Sequence, residues 1–278
     1  MPAAGVADYL LSAYGRFVPY HPGRWRILDW AARFVSPAAQ AREVQRCGFR
    51  FLLSPQDFVD RELLYGHVYE AESTSLVKRM VKAGWTVLDC GAHMGYFTLT
   101  FSRAVGPTGQ VYSFEPCAPT YARLQNHLKM NGITNVEPIH SAISERSGTA
   151  SSQQVKAANT GKNRIVADEG TTPMVSIDEF VATRDLKRLD FLKADIEGFE
   201  VKLLRGAEKS IRRFRPIMLI ELNPESLNDA GTSASEMLDL LRSFGYSVQV
   251  PRWPSGTSQL REVPVAPAFC NIVALPEK

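Results

Sequence analysis

An apolar run of strand length, Leu189-Asp-Phe-Leu-Lys-Ala-Asp195, ends in two acids spaced i, i+2, Asp195 and Glu197. Gly198 then lets the chain turn, and Glu200 falls in the first turn of an expected helix. Carboxylates at the C-terminal end of a parallel strand face the ligand crevice of an open α/β sheet. Two earlier strands end the same way. Val87-Leu-Asp-Cys-Gly-Ala-His-Met-Gly95 delivers Asp89 and a glycine loop, and Phe114-Glu115-Pro116 delivers Glu115. Such strand ends in one sheet imply a nucleotide-like cofactor with a substrate beside it, and carboxylates there can take a proton from that substrate.

The glycine loop, with Gly91 and Gly95 around Ala92 and His93, follows a strand and opens a helix. Its spacing is GxxxG, so it is neither the GxGxxG of dinucleotide enzymes nor a Walker loop, which needs Lys-Ser or Lys-Thr after the last glycine. Glu115 ends the next strand, where an acid accepts hydrogen bonds from both hydroxyls of a ribose. The bland alternative is an exposed acid where Pro116 forces the chain out of the strand. His140 ends a strand on the same side. It is a candidate base or adenine contact, although a polar strand end bonded to backbone is the preferred reading. His93 reads as a loop residue near the cofactor and not as a base.

Glu221 ends a further apolar run, Ile217-Met-Leu-Ile-Glu-Leu222, and Asn223 follows. Oxygen donors from Asp195, Glu221 and Asn223 permit one Mg²⁺ without demanding it. The metal-free reading, in which Asp195, Glu221 or Glu197 takes the proton directly, is preferred. Lys193 shares a face with Asp195 in a regular strand. It either neutralises that acid or braces the sheet, the second being preferred.

Strands expected at 86–90, 110–115, 136–140, 189–195, 217–222, 246–250 and 270–275 alternate with helices at 95–105, 118–131, 178–184, 199–213 and 233–244. A further helix is expected at 73–81. This order predicts an α/β fold with a mostly parallel sheet covered on both faces. The last two strands lack a helix between them, which predicts an antiparallel pairing near the sheet edge. Residues 1–50 form an N-terminal helical extension, read as a cap in preference to a membrane-surface or partner helix. Residues 51–278 form the main domain, and the polar segment 144–176 is a candidate substrate-shaping insertion.

The chain of 278 residues carries a net charge of +3, too mild to argue for nucleic acid. Its four cysteines are scattered, as in reduced proteins of the cytoplasm. No apolar run is long enough to span a bilayer, and the N-terminus lacks a signal-peptide pattern.

Three blocks carry a family resemblance: Leu88-Asp-Cys-Gly-Ala-His-Met-Gly-Tyr-Phe-Thr98, Val111-Tyr-Ser-Phe-Glu-Pro116 and Phe191-Leu-Lys-Ala-Asp-Ile-Glu-Gly-Phe-Glu200. Leu124-Gln-Asn-His-Leu128, Ala142-Ile-Ser144 and Val175-Ser-Ile-Asp178 link them. Over residues 57–222 the chain resembles the FkbM-like class I methyltransferases, which use S-adenosyl-L-methionine. The resemblance implies a Rossmann-like, seven-stranded sheet whose last strand is antiparallel. It implies that Asp89 and the backbone from Gly91 to Gly95 hold the methionine part of the cofactor and that Glu115 holds the ribose. Ser141 and Ala142 would border the adenine, and Asp195 would lie near the sulfonium and the acceptor. Tyr69, Glu70 and Ser73 would close over the cofactor from the N-terminal side. The expected reaction is O-methylation of a sugar, glycan or polyketide-like acceptor. The rival is a non-catalytic S-adenosylmethionine- or nucleotide-binding module of the same fold. A dehydrogenase is disfavoured by the GxxxG spacing and the third acidic block.

Overall fold

A computed structural model describes residues 6–18, 23–35, 41–153, 164–251, 260–263 and 268–277. Three stretches named above fall partly or wholly outside the described residues: 1–5, 19–22 and 36–40 of the extension, 154–163 of the polar segment, and most of the connection between the last two expected strands.

Continuous apolar runs form the centre of the molecule because their strands are covered on both faces. In Thr86–Cys90 every residue is buried. Val87 and Phe191 pack into one core, while their neighbours Leu88 and Leu192 pack into the other. Each fully buried side chain of this size contributes about 1.5–3 kcal/mol. The sheet runs in the order Leu260–Glu262, Tyr246–Pro251, Cys270–Pro276, Ile217–Leu222, Phe191–Ala194, Thr86–Cys90, Gln110–Phe114, Val136–Ile139. The five strands from Ile217–Leu222 to Val136–Ile139 are parallel to their neighbours. Cys270–Pro276 runs antiparallel to both Ile217–Leu222 and Tyr246–Pro251. The expected Rossmann-like sheet of seven strands is therefore present, with its antiparallel strand one place in from Tyr246–Pro251. Leu260–Glu262 adds a short eighth strand that was not expected.

Other departures are local. The expected helix 199–213 is two helices, Glu200–Gly206 and Glu208–Phe214, meeting at Ala207. The helix before the first central strand is Ala71–Met80, and its N-cap Glu70 sits in the left-handed region at φ 40°. The polar segment, where residues 149–155 and 162–166 suggest short exposed strands, is stranded in its described part. Gly148–Gln153 pairs antiparallel with Arg164–Val175, which also pairs with Ala142–Ile143, in a separate three-stranded sheet.

The N-terminal region is built on a helix that sequence reading missed, Phe58–Gly66. Asp57 caps it, accepting from the Asp60 N–H. Helices Val6–Phe17 and Arg24–Val35 pack on it and on each other. Gly15 is required there, since a Cβ would lie 1.5 Å from the Tyr65 carbonyl oxygen. Arg61, on the supporting helix, donates to Asp29 at 2.6 Å. An antiparallel hairpin, Arg42–Arg46 with Phe49–Leu53, spans residue 50 and buries Phe51 and Leu53 in the core. The extension and the sheet domain thus share a hairpin.

Candidate active site

The C-terminal ends of the central strands open into a crevice that reaches solvent, with about 960 Å³ of space counted out to the open mouth. Its walls come from the 91–97 loop and helix start, the 114–116 and 141–143 strand ends, and the 193–199 strand end. Tyr69, Val59 and Glu221 complete them.

On the glycine-loop side the geometry is prebuilt. Gly91 and Gly95 both take left-handed backbone, at φ 83° and 95°. Their lack of Cβ serves protein packing more than ligand approach. A Cβ on Gly91 would lie 1.8 Å from the Asp195 carbonyl oxygen, and one on Gly95 would lie 2.6 Å from Leu124 Cδ1. The loop is thereby locked against the strand end that carries Asp195. Glu115 lines the crevice and is 5% exposed. Its Oε2 accepts from the His93 N–H and its Oε1 from the Cys117 N–H, each at 2.9 Å. Each carboxylate oxygen has two lone-pair positions, so one on each remains for a ligand. Burial pushes the Glu115 carboxyl up to about 7. Asp89 is fully buried beneath the loop and does not line the crevice. Thr98 donates to its Oδ2 at 2.6 Å, while its Oδ1 has no hydrogen-bond partner. Burial raises its pKa, with Lys193 opposing.

Across the crevice the acids face one another. Carboxylate oxygens of Asp195, Glu197 and Glu221 all lie within 4.8 Å of one another. Lys193, 4% exposed, donates to Asp195 Oδ2 at 2.9 Å and stands 4.9 Å over the Phe97 ring. Burial alone would pull the lysine down, but Asp195, Asp89 and Glu70 together raise it, so it stays charged. Lys193 therefore neutralises the acids, against the preferred bracing role. Glu197 sits at φ 52° in the turn after the strand, and Ser226 Oγ lies 3.4 Å from its Oε2. Glu221 has a buried Oε2 with no hydrogen-bond partner. Burial first, then Asp195 and Glu197, raise its pKa well above the usual carboxylate range. Glu200 has a structural place: it accepts from the Ile196 and Gly198 N–H groups at 2.9 and 3.0 Å, which holds the turn carrying Glu197.

Several expected residues sit elsewhere. Asn223 does not join the acids, because its Oδ1 accepts from the Ser226 N–H as the N-cap of helix Pro224–Asp229. Glu197 is the third carboxylate in its stead. His140 does not line the crevice: its Nε2 is 3.0 Å from the Pro116 carbonyl oxygen and its ring stacks on Tyr121. Glu70 and Ser73 lie behind the lining, each bound to Asn271 Nδ2 at 2.9 Å. Tyr69, His93, Ser141 and Ala142 do line it. The Ser141 hydroxyl is held to the Ala142 and Pro173 carbonyls, at 3.0 and 3.1 Å.

The model of the methyltransferase FkbM domain matches residues 89–248, more than half of the chain. The chain belongs to the FkbM methyltransferase family. It is 25% identical over 190 residues to Methyltransferase 1 of Beauveria bassiana, a match covering 60% of this chain and 74% of that protein. It is 23% identical over 205 residues to the 2-O-methyltransferase NoeI of Sinorhizobium fredii, covering 67% and 83%. It is 25% identical over 166 residues to the hexuronic acid methyltransferase AglP of Haloferax volcanii, covering 59% and 64%.

The FkbM match begins at Asp89 and takes in Glu115, Asp195, Glu197 and Glu221. Val59 and Tyr69 line the crevice from outside it. Sequence reading missed part of the apolar lining, including Val59, Ile143 and Phe199. Ile143 and Phe199 follow named polar residues by one or two positions, which is a usable signal. Val59 carries none, because only the fold brings its helix to the strand ends.

Proposed function

We propose that this methyltransferase uses S-adenosylmethionine to methylate a hydroxyl of a small molecule or glycan. The observation that carries the reading is the split crevice, with a buried carboxylate held for ligand hydroxyls on one side and a cluster of proton-accepting carboxylates on the other. The residues fit the cofactor. Glu115 has its two remaining acceptor positions on the crevice wall, as a ribose diol needs. The loop from Gly91 to Met94 borders the same space, and Ser141 and Ala142 form the wall beyond Glu115. Asp89, below the loop, acts by holding Thr98 at the helix start. When bound, S-adenosylmethionine supplies a methyl group already activated by its sulfonium.

The protein's task is then alignment and proton removal. Asp195 is the first candidate for the acceptor's proton. Lys193 fixes its Oδ2, which leaves Oδ1 for the hydroxyl. Glu221 and Glu197 stand within reach of the same point. The printed names of the 2-O-methyltransferase and hexuronic acid methyltransferase relatives favour a sugar acceptor. The mild net charge favours such an acceptor over nucleic acid.

A second reading comes from the three carboxylates. Oxygen-only donors this close suit a divalent cation that would hold the acceptor oxygen. Here the donor set is Asp195, Glu197 and Glu221, with Asn223 occupied as a cap. Lys193 already offsets part of the charge, which favours the metal-free reading.

Calorimetric titration with S-adenosylhomocysteine, run beside NAD, tests the proposal. Micromolar binding of S-adenosylhomocysteine is expected, and binding of NAD alone ends the reading. Assay of the methyl transfer in EDTA, then with Mg²⁺ restored, separates the two versions. Full activity in EDTA excludes a catalytic metal.

A further inference from the structure

The outward face of the two N-terminal helices is apolar and basic together. Seven large apolar side chains are exposed among the described residues, and five of them are here: Tyr9 (71%), Leu10 (60%), Phe17 (73%), Ile27 (47%) and Trp30 (65%). Leu10 and Phe17 are seven residues apart, as are Tyr9 and Arg16, so the four form one stripe along the first helix. Ile27 and Trp30 are three apart on the second, with exposed Arg26 beside them.

The orientation of both helices is set from the inside. Gly15 packs against the Tyr65 carbonyl, Leu11 and Leu28 are buried, and Asp29 pairs with buried Arg61. Turning either helix to hide its aromatic residues would expose those leucines and break a buried ion pair, a costly exchange. The outward stripe is thus a fixed feature of the fold.

Charge says what covers it. Of the arginines in the two helices whose side chains are described, Arg16 and Arg26, both are exposed, and the described acid there, Asp29, is buried. Asp29 is already neutralised by Arg61. Arg16 and Arg26 flank the apolar stripes. In a two-fold pairing of this face with a second copy, the arginines of one copy would meet the like-charged face of the other. An anionic lipid surface complements both parts, since aromatic rings settle at the headgroup level and arginines meet the lipid charge. Each helix has 12 residues, and no described helix is long and apolar enough to cross a membrane. The pair can therefore only lie on such a surface.

We propose that this face docks the protein on anionic membranes. The helix Phe58–Gly66 that supports it also sends Val59 into the crevice, so docking holds the crevice at a defined place relative to the lipid. The proposal does not depend on the acceptor's identity.

Flotation of the full chain with vesicles tests it, using phosphatidylcholine alone and phosphatidylcholine mixed with phosphatidylglycerol. The protein is expected to float with the mixed vesicles and much less with the neutral ones. Phe17→Ser with Trp30→Ser should weaken the partition by roughly tenfold or more. Arg16→Gln with Arg26→Gln should weaken it about fivefold for each charge removed, and high salt should mimic that loss. Tyr9→Ser with Leu10→Ser is an independent second apolar variant. Melting temperatures close to wild type are expected, because all these side chains point outward. A chain that stays in solution with the mixed vesicles overturns the proposal, as does flotation unchanged in every variant. A concentration-dependent dimer in sedimentation, abolished by Trp30→Ser, would assign the face to a second copy instead.

Discussion

Glu115, buried, and Glu221, half-buried with its Oε2 enclosed, stand at the same end of one sheet, each pushed above the usual carboxylate range, chiefly by loss of solvent. Their oxygens are treated in opposite ways. Both oxygens of Glu115 hold backbone N–H groups, whereas Glu221 Oε2 holds nothing, and one oxygen of that carboxylate lies within 4.8 Å of two other acids. A buried polar group without a partner is costly unless something arrives to satisfy it. One side of the crevice is therefore finished before any ligand binds, and the other is left for a proton, a cation or an acceptor hydroxyl. The finished side suits binding and the unfinished side suits chemistry.

The largest expected effect tests the unfinished side. Asp195→Asn keeps the shape and removes the charge, and loss of a general base typically costs 10²–10⁴ in rate. The folded variant should still bind S-adenosylhomocysteine. If Asp195 served only to anchor Lys193, the substitution would lower the melting temperature while turnover per folded molecule stayed near wild type. That result would move the chemistry to Glu221.

On the finished side, Glu115→Ala should weaken cofactor binding by about 1.5–3 kcal/mol with turnover at saturation much less affected. Because the Glu115 carboxyl titrates at about 7, its acceptor strength is present above that pH and fades below it. Affinity for S-adenosylhomocysteine should therefore fall as pH drops from 8 to 6, and Glu115→Gln should flatten the profile. Calorimetry across that range reads both. An equal pH dependence in Glu115→Gln would place the titrating group elsewhere.

Much of this contrast was legible in the chain, for identifiable reasons. Parallel strands buried on both faces read as continuous apolar runs, so 86–90, 191–194 and 217–222 announce themselves along with the acids at their ends. Glycines at 91, 95 and 198 mark the turns between strand and helix. Illegible parts depend on partners remote in sequence. Arg42–Arg46 has no apolar run to announce it, and among the described residues it is placed by its pairing with Phe49–Leu53. Asn223 stood as a conditional ligand because a cap and a metal ligand both need an oxygen after a strand, and its bond from Ser226 N–H makes it the cap. Lys193 could be placed on the face of Asp195 from spacing alone, but its burial could not. His140 was legible in its preferred reading, a polar strand end bonded to backbone, since its Nε2 lies 3.0 Å from the Pro116 carbonyl.

A smaller effect concerns the molecule as a whole. Burial raises Glu115 to about 7, and Glu62 and Glu200 to about 8. The folded protein holds these protons longer than the unfolded chain does. Their stabilising effect is thus present at low pH and is lost as pH rises through those values. Burial lowers His93 to about 4 and lowers His127, which acts only below the ordinary histidine value of 6.5. Between pH 6.5 and 8 the acids act alone. Without ligand, the melting temperature should fall by roughly a few degrees across that window. Scanning calorimetry checks this, and a rise instead would mean that the carboxyls are ionised in the folded state.

The smallest expected effect separates Asn223 from the acids it follows. Its Oδ1 accepts the Ser226 N–H at the start of Pro224–Asp229, and loss of an N-cap side chain costs about 0.5–2 kcal/mol. Asn223→Ala should lower stability by that amount and leave turnover per folded molecule unchanged. Asn223→Ser should restore most of the stability, because a serine oxygen caps as well. A metal-ligand role predicts another pattern, in which both variants lose activity together and excess Mg²⁺ restores part of it. Chemical denaturation and a turnover assay on the two variants distinguish these cases. If the cap reading holds, helix Pro224–Asp229 owes its start to Asn223. Ser226, from that helix, reaches Glu197 Oε2, so Asn223 would support the acid cluster through packing without touching it.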